Sequence, residues 1–347
     1  MTADPAPAAP VVCPSCGRAV SATDNFCEAC RTELAPAVVS GDAPVTATEC
    51  AFCHAGQITA DGYCESCGRK VPASRDHVEL DLGPLAGVTD KGLRHARNED
   101  AMALATAESA SGPAVLAVVC DGVSSSRRPD EASLAAAQVA VRVLLAGVRA
   151  GENLSQTSQA AVAAAQQALV GLDEPGAGDA PSATFVSAVM TTEAVTLCWL
   201  GDSRANWLGS GTGSDAQRLT RDDSVAGEMV AAGLVSEAAA MALPGAHVVT
   251  GWVGADSPGG PPHVATFTPP GPGVLLLCSD GLWNYQPEAA GLAGLALPGA
   301  LTDPLGTAAE LVTFALEAGG ADNITVVLAP FPPRVPESEE KRAPGAT

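Results

Sequence analysis

Aromatic side chains are scarce: four Trp, two Tyr and six Phe make up only 3% of the 347 residues. A core of useful size must therefore be assembled from Ala, Val and Leu, which the 47% apolar content supplies. Basic residues are scarce as well, with 18 Lys and Arg against 39 Asp and Glu and a net charge of −21. A field of that sign repels phosphate backbones and anionic lipid, which argues against nucleic-acid and membrane-surface partners and favours divalent cations. Long apolar runs are missing too. The longest, Ala114–Cys120, and others such as Val274–Cys278 are far short of the ~20 residues of a spanning helix. The opening MTADPAPAAP has neither the basic start nor the apolar core of a signal peptide, so the expected location is the cytoplasm, where thiols stay reduced.

Cysteine, by contrast, is patterned. Eight of the eleven cysteines form four C-x2-C pairs: Cys13/Cys16, Cys27/Cys30, Cys50/Cys53 and Cys64/Cys67. A shift of 37 residues carries the first four onto the second four, so a unit C-x2-C-x10-C-x2-C is duplicated. Two such knuckles supply four thiolates, the soft tetrahedral set of a structural Zn²⁺ site with no open position. Each unit is too short to bury a core, and metal binding must drive its folding. The segment resembles a double zinc ribbon holding two Zn²⁺. Residues 1–75 carry five Lys and Arg against eight Asp and Glu, which makes a protein-docking role a better expectation than nucleic-acid binding.

Five β-rich runs stand out further along: Val115–Cys120, Thr184–Met190, Val195–Leu200, Val274–Cys278 and Ile324–Ala329. Ala132–Val148 and Ser155–Leu172 are Ala-rich, free of Pro, and predict two consecutive helices. A further helix is expected within Asp223–Ala232, and another over Thr307–Ala318, closed by Gly319 and Gly320. Grouped strands and grouped helices predict an α+β fold with mostly antiparallel sheet. The expected layout is a disordered 1–11, a double ribbon over 12–70 with 31–49 as a flexible joiner, a linker over 71–82, a large domain over 83–330 and a disordered, Pro-rich tail over 331–347.

Acids recur at the ends of these strands. Asp121, Asp202 and Asp280 each follow a strand, and Asp322 precedes one. In an antiparallel sheet the end of one strand and the start of its neighbour share an edge, so distant acids can meet in one pocket. A cluster of that kind repels itself unless cations are bound, and hard oxygen ligands suit Mg²⁺ or Mn²⁺. Cys120, Cys198 and Cys278 lie inside apolar strands and read as small core residues.

Residues 83–330 resemble the protein phosphatase 2C family of metal-dependent Ser/Thr phosphatases. The resemblance rests on seven motifs in the family's order: GVTDKGLRHARNEDA (87–101), VVCDG (118–122), SATFVSAV (182–189), LGDSRANWL (200–208), LTRDDSVAGEMVAAGLVS (219–236), LLLCSDGLWNY (275–285) and ADNITVVL (321–328). It implies a four-layer α-β-β-α sandwich that hydrolyses phosphoserine or phosphothreonine in proteins by a metal-activated water. By position it implies Asp121 as the carboxylate shared by two ions and the Gly122 carbonyl as a ligand. It gives Asp280 and Asp322 to one ion, Glu99 to the second and Asp202 to a third, so two or three Mn²⁺ or Mg²⁺. The catalytic set is then Asp121, Asp280 and Asp322, and a bacterial Ser/Thr kinase pathway is the implied setting.

Three departures accompany the resemblance. His95 stands where the family places its phosphate-binding Arg, which leaves Arg94 or Arg97 for that task. Val123 follows the Asp-Gly pair and cannot donate a proton, unlike the His of some relatives. Residues 284–306, rich in Ala, Pro and Gly, give no clear site. The alternative reading is a non-catalytic, protein-binding module on the same fold.

Overall fold

The computed structural model describes residues 75–174, 176, 178–210 and 216–334 and, ahead of them, Arg18, Ala29, Val38–Val39, Cys53 and residues 64–67. The segments expected to be disordered, 1–11 and most of 331–347, lie outside the described residues, as do Cys13, Cys16, Cys27, Cys30 and Cys50.

The strands are β1 (Val38–Val39), β2 (His77–Asp81), β3 (Ala86–Asp90), β4 (Asp100–Ser109), β5 (Gly112–Asp121), β6 (Ser182–Ala183) and β7 (Phe185–Met190). They continue with β8 (Val195–Leu200), β9 (Arg204–Gly209), β10 (Gln217–Arg218), β11 (Val253–Gly254), β12 (His263–Phe267), β13 (Gly273–Cys278) and β14 (Ile324–Phe331). The helices are α1 (Pro129–Ala150), α2 (Leu154–Leu172), α3 (Val225–Ala231), α4 (Glu237–Met241), α5 (Asp280–Trp283), α6 (Ala289–Ala300) and α7 (Pro304–Glu317). One sheet runs β1-β4-β5-β7-β8-β12, the other β10-β9-β13-β14-β3-β2, and each pairing within them is antiparallel.

The period of two along each strand sorts side chains into three apolar layers. Ala101, Ala103 and Ala105 of β4, with Leu116, Val118 and Cys120 of β5, face α1 and α2. Their neighbours Met102, Leu104, Val115, Ala117 and Val119 face Leu275, Leu277, Val327 and Ala329 of the other sheet. Val274, Leu276, Val326 and Leu328 point the opposite way, onto α6 and α7. The result is the expected α-β-β-α sandwich, buried on both faces of both sheets.

Alanine does the work that aromatics do elsewhere. Ala132, Ala136, Ala137 and Ala140 present the buried stripe of α1, so the helix lies close on β4 and β5. This helix is long and apolar enough by composition to cross a membrane, yet that stripe is packed inside the protein. Asn153 caps α2, accepting a hydrogen bond from the backbone N–H of Gln156 at 3.1 Å.

The five expected strands and four expected helices are all present, with ends displaced by a few residues. Two boundaries are corrected. β2 lies inside the stretch read as linker, because HVELD forms an edge strand whose Val78 and Leu80 face the intersheet core. Within the stretch read as a joiner, Val38–Val39 pairs with Leu104 and Ala103 at the free edge of β4.

Ala140 has no exposed surface. Ala140→Leu should cost about 1–3 kcal/mol of stability by overpacking the α1–sheet interface, read from chemical denaturation.

Candidate active site

Strand pairing assembles the acids. Asp100 opens β4 and lies opposite Asp121, which closes β5. Cys278 pairs with Val326, so Asp280 just past β13 and Asp322 just before β14 reach the same edge. Asp202 joins them from the turn between β8 and β9.

Short polar contacts fix each backbone. The Asp121 N–H donates to Thr184 Oγ1 at 3.1 Å, and its carbonyl accepts from the Thr184 N–H at 2.7 Å. Gly122 donates to the Glu99 carbonyl at 3.0 Å, and a Cβ there would sit 2.3 Å from the Pro129 oxygen, so no larger residue fits. Gly281 is equally constrained, its Cβ position lying 1.9 Å from the Asn323 oxygen. Asn323 is the hub of the far side. Its Oδ1 accepts from the Glu99 N–H at 2.7 Å, and its amide donates to the Lys91 and Arg97 carbonyls. The indole of Trp283 donates to the Asp202 carbonyl at 2.9 Å. Beneath it the buried Arg204 stacks on the Trp283 ring at 3.7 Å and pairs with Asp222 at 2.7 Å.

Burial raises the pKa values of this set. Asp121 and Asp280 are pushed well above the usual carboxylate range, first by desolvation and then by repulsion from neighbouring acids. Asp202, only 3% exposed, rises to about 7 for the same first reason, with Asp222 the next contributor. Asp100 rises to about 6 by desolvation, although Ser279 and Thr325 each donate to its Oδ2 at 2.7 Å. Its Oδ1 is buried with no hydrogen-bond partner. An orphaned carboxylate oxygen amid mutually repelling acids fits divalent cations, which supply the missing positive charge through hard oxygen ligands.

The residues around this edge are placed as follows. Glu99 is buried and engaged at both oxygens: Arg97 Nε donates to Oε1 at 3.0 Å and Ser124 Oγ to Oε2 at 2.7 Å. Arg97 also lies 3.5 Å from Asp130 at the start of α1. Arg94 is exposed. His95 Nε2 lies 3.1 Å from Asp322 Oδ1, so the residue that departs from the family pattern touches an expected metal ligand. Burial holds Cys198 and Cys278 up at about 12 and raises Cys120 as well, leaving them neutral thiols rather than nucleophiles.

Sequence reasoning passed over Asp100 and Asn323. The signal for Asp100 was the third member of Asn98-Glu99-Asp100. Asn323 lay inside the Asp-Asn motif but reads as a turn residue until its partners, over 200 positions away, are known.

Away from this edge, the sulfurs of Cys53, Cys64 and Cys67 lie within 4.8 Å of one another. Among the described residues no other three metal-ligating side chains come so close, the site acids included. These are three of the four expected ligands of the second Cys unit, and Cys64 is buried.

The raised carboxylates carry a pH signature. The folded state holds protons on Asp100 and Asp202 that the unfolded chain releases near pH 4. Stability of metal-free protein is therefore lost as pH rises through about 6 to 7. In chelator, melting temperature should be higher at pH 5.5 than at pH 8, Asp202→Asn should flatten that slope, and Mn²⁺ should raise melting most at the alkaline end, all read by thermal denaturation.

Known proteins resemble this chain in sequence and fold. The family profile described as Protein phosphatase 2C matches residues 93–292. Serine/threonine phosphatase stp of Listeria welshimeri is 35% identical over 147 residues, 42% of this chain and 55% of that protein. The chain thus spans about half the length of the named relatives it matches. The Mycobacterium tuberculosis serine/threonine phosphatase PstP/Ppp superposes with a TM-score of 0.56 at 25% identity, over 72% of this chain and 98% of that one. A PstP catalytic domain in complex with two manganese ions superposes with a TM-score of 0.54 at 23% identity, over 70% and 96% of the two chains. The family match takes in more than half of the 347 residues, with the cluster's Asp121, Asp202 and Asp280 inside it, and the chain belongs to the protein phosphatase 2C family.

Proposed function

We propose that this chain is a metal-dependent protein Ser/Thr phosphatase acting on phosphorylated proteins in a bacterial kinase-opposing pathway. The observation that carries the reading is the convergence of Asp121, Asp202, Asp280 and Asp322 at one sheet edge, each of the first three with a raised pKa. The names of the relatives and the two manganese ions of a structural neighbour support it.

In this reading Asp121, the Gly122 carbonyl, Asp280, Asp322 and Glu99 would hold two ions, and Asp202 a third. Mn²⁺ or Mg²⁺ bound there supplies a nucleophilic water at neutral pH and neutralises phosphate charge. The chain's own groups prepare that site. Arg97 and Ser124 orient the Glu99 carboxylate, His95 orients Asp322, and Thr184 fixes the backbone at Asp121. Arg94 and Arg97 sit on the exposed side, where a phosphate approaches. Val123 offers no proton, so the leaving alkoxide takes one from water or from His95.

Residues 12–70 are assigned as two zinc ribbons, each with four cysteine ligands, that dock a protein partner, with 71–76 joining them to the catalytic body. The convergence of Cys53, Cys64 and Cys67 supports the second ribbon. The setting proposed for the whole is the cytoplasm.

One observation favours the alternative of a non-catalytic binding module: Glu99 has both oxygens engaged by Arg97 and Ser124. Calorimetric titration with Mn²⁺ separates the two readings, because a decayed site binds little.

With Mn²⁺, the protein should hydrolyse a phosphothreonine peptide, and Asp280→Asn should lower turnover by about 100-fold or more, a loss of roughly 3 kcal/mol of transition-state stabilisation. Turnover that needs no metal and ignores Asp280→Asn would overturn the mechanism. Elemental analysis of purified protein should find two zinc ions per chain, and Cys64→Ser should remove one of them.

A further inference from the structure

We propose that Arg75, in the segment that joins the cysteine-rich region to β2, is an anion-binding residue of the catalytic cleft and holds the substrate phosphate together with Arg97. This rests on the phosphatase reading above.

The side chain of Arg75 is only 22% exposed, and burial is the first cause lowering its pKa. A guanidinium carries five N–H donors and loses its hydration when buried, so it needs close acceptors. Arg75 has none close: its Nη2 lies 3.5 Å from the Asp100 carbonyl and its Nη1 lies 3.9 Å from Asp130 Oδ2. The other arginines of this edge are better satisfied. Arg127 pairs with Asp173 at 3.1 Å, Arg128 with Glu131, and Arg97 with Glu99 at 3.0 Å. Arg75 is thus a half-buried cation with donors to spare.

Its place is fixed at the site. The Arg75 carbonyl accepts from Asn98 Nδ2 at 3.1 Å, and the same Asn98 accepts the Asp100 N–H at 3.2 Å. Arg97 reaches Asp130 at 3.5 Å from its other side, so two guanidiniums flank one carboxylate beside the acid cluster. Two planar, donor-rich forks around one point suit the several oxygens of a phosphate monoester. In a chain of net charge −21, an anion needs such a local seat to enter at all. Arg75 lies ahead of residues 93–292, which match the family profile.

The test uses the full-length, Mn²⁺-loaded protein with para-nitrophenyl phosphate as substrate and inorganic phosphate as competing anion. Arg75→Gln should raise KM and weaken phosphate inhibition by roughly tenfold each, with melting temperature little changed, as expected for loss of a charge-assisted hydrogen bond. Arg75→Lys should fall between, since it keeps the charge and loses the fork. Asp130→Asn should leave phosphate inhibition at least as strong. If Asp130→Asn reproduces the Arg75→Gln loss, Arg75 acts only by pinning α1 and the proposal fails. An unchanged KM and unchanged phosphate inhibition in Arg75→Gln overturn it as well. Should Arg75→Gln not fold, Arg75→Lys decides by the same two readouts. If the wild type shows no turnover, the phosphatase reading fails by itself. Calorimetric titration of wild type and Arg75→Gln with inorganic phosphate then still decides whether Arg75 binds the anion.

Discussion

Like charges held together out of water are the constraint around which this protein is organised. Asp100, Asp121, Asp202 and Asp280 all have pKa values raised first by burial, and neighbouring acids add to the rise in each. A lone chain segment would separate such groups. Here each carboxylate is attached to a strand end or a turn beside one, and strands buried on both faces do not slide without exposing a whole apolar layer. The hydrophobic sandwich is what holds the acids against their repulsion.

The polar frame around them serves the same end. Thr184, Ser279, Thr325 and Asn323 are buried, and each gives or takes a hydrogen bond from an acid or from the backbone beside it. Gly122 and Gly281 let backbones approach where a methyl group would collide with a carbonyl. The frame therefore accommodates charge without supplying a counter-charge at Asp121 and Asp280. That role is left to cations, and a strongly acidic chain draws cations toward it.

Much of this was legible beforehand. The β5, β8, β13 and β14 strands announce themselves by Val and Leu, and the Asp at each end follows from the antiparallel edge rule. What escaped notice did so for physical reasons. β4 reads Ala-Met-Ala-Leu-Ala, a helix-favouring composition overridden by a period of two that feeds two different cores. α6 carries Gly291, Gly294 and Pro298, which lower helix propensity, and its buried Leu292, Ala293 and Ala296 hold it in place. Asp100 looks like one more acid in an acidic chain until its pairing with Asp121 is known. The engagement of Glu99 by Arg97 and Ser124 needs side-chain positions, which spacing does not give.

The N-terminal segment meets the large domain at β4 twice. β1 adds to the free edge of that strand opposite Ala103 and Leu104, and Arg75 reaches the carbonyl of its first residue, Asp100. An unpaired edge strand is a template for unwanted association, and a two-residue strand from the same chain covers part of it. β4 is also the strand whose first residue faces Asp121. The segment that carries the cysteine pairs is therefore tied to the same strand that positions the acids, a few residues from the cleft. Displacing β1 would uncover the β4 edge, and moving Arg75 would take a guanidinium from the Asp100 carbonyl, so both contacts bear on one strand.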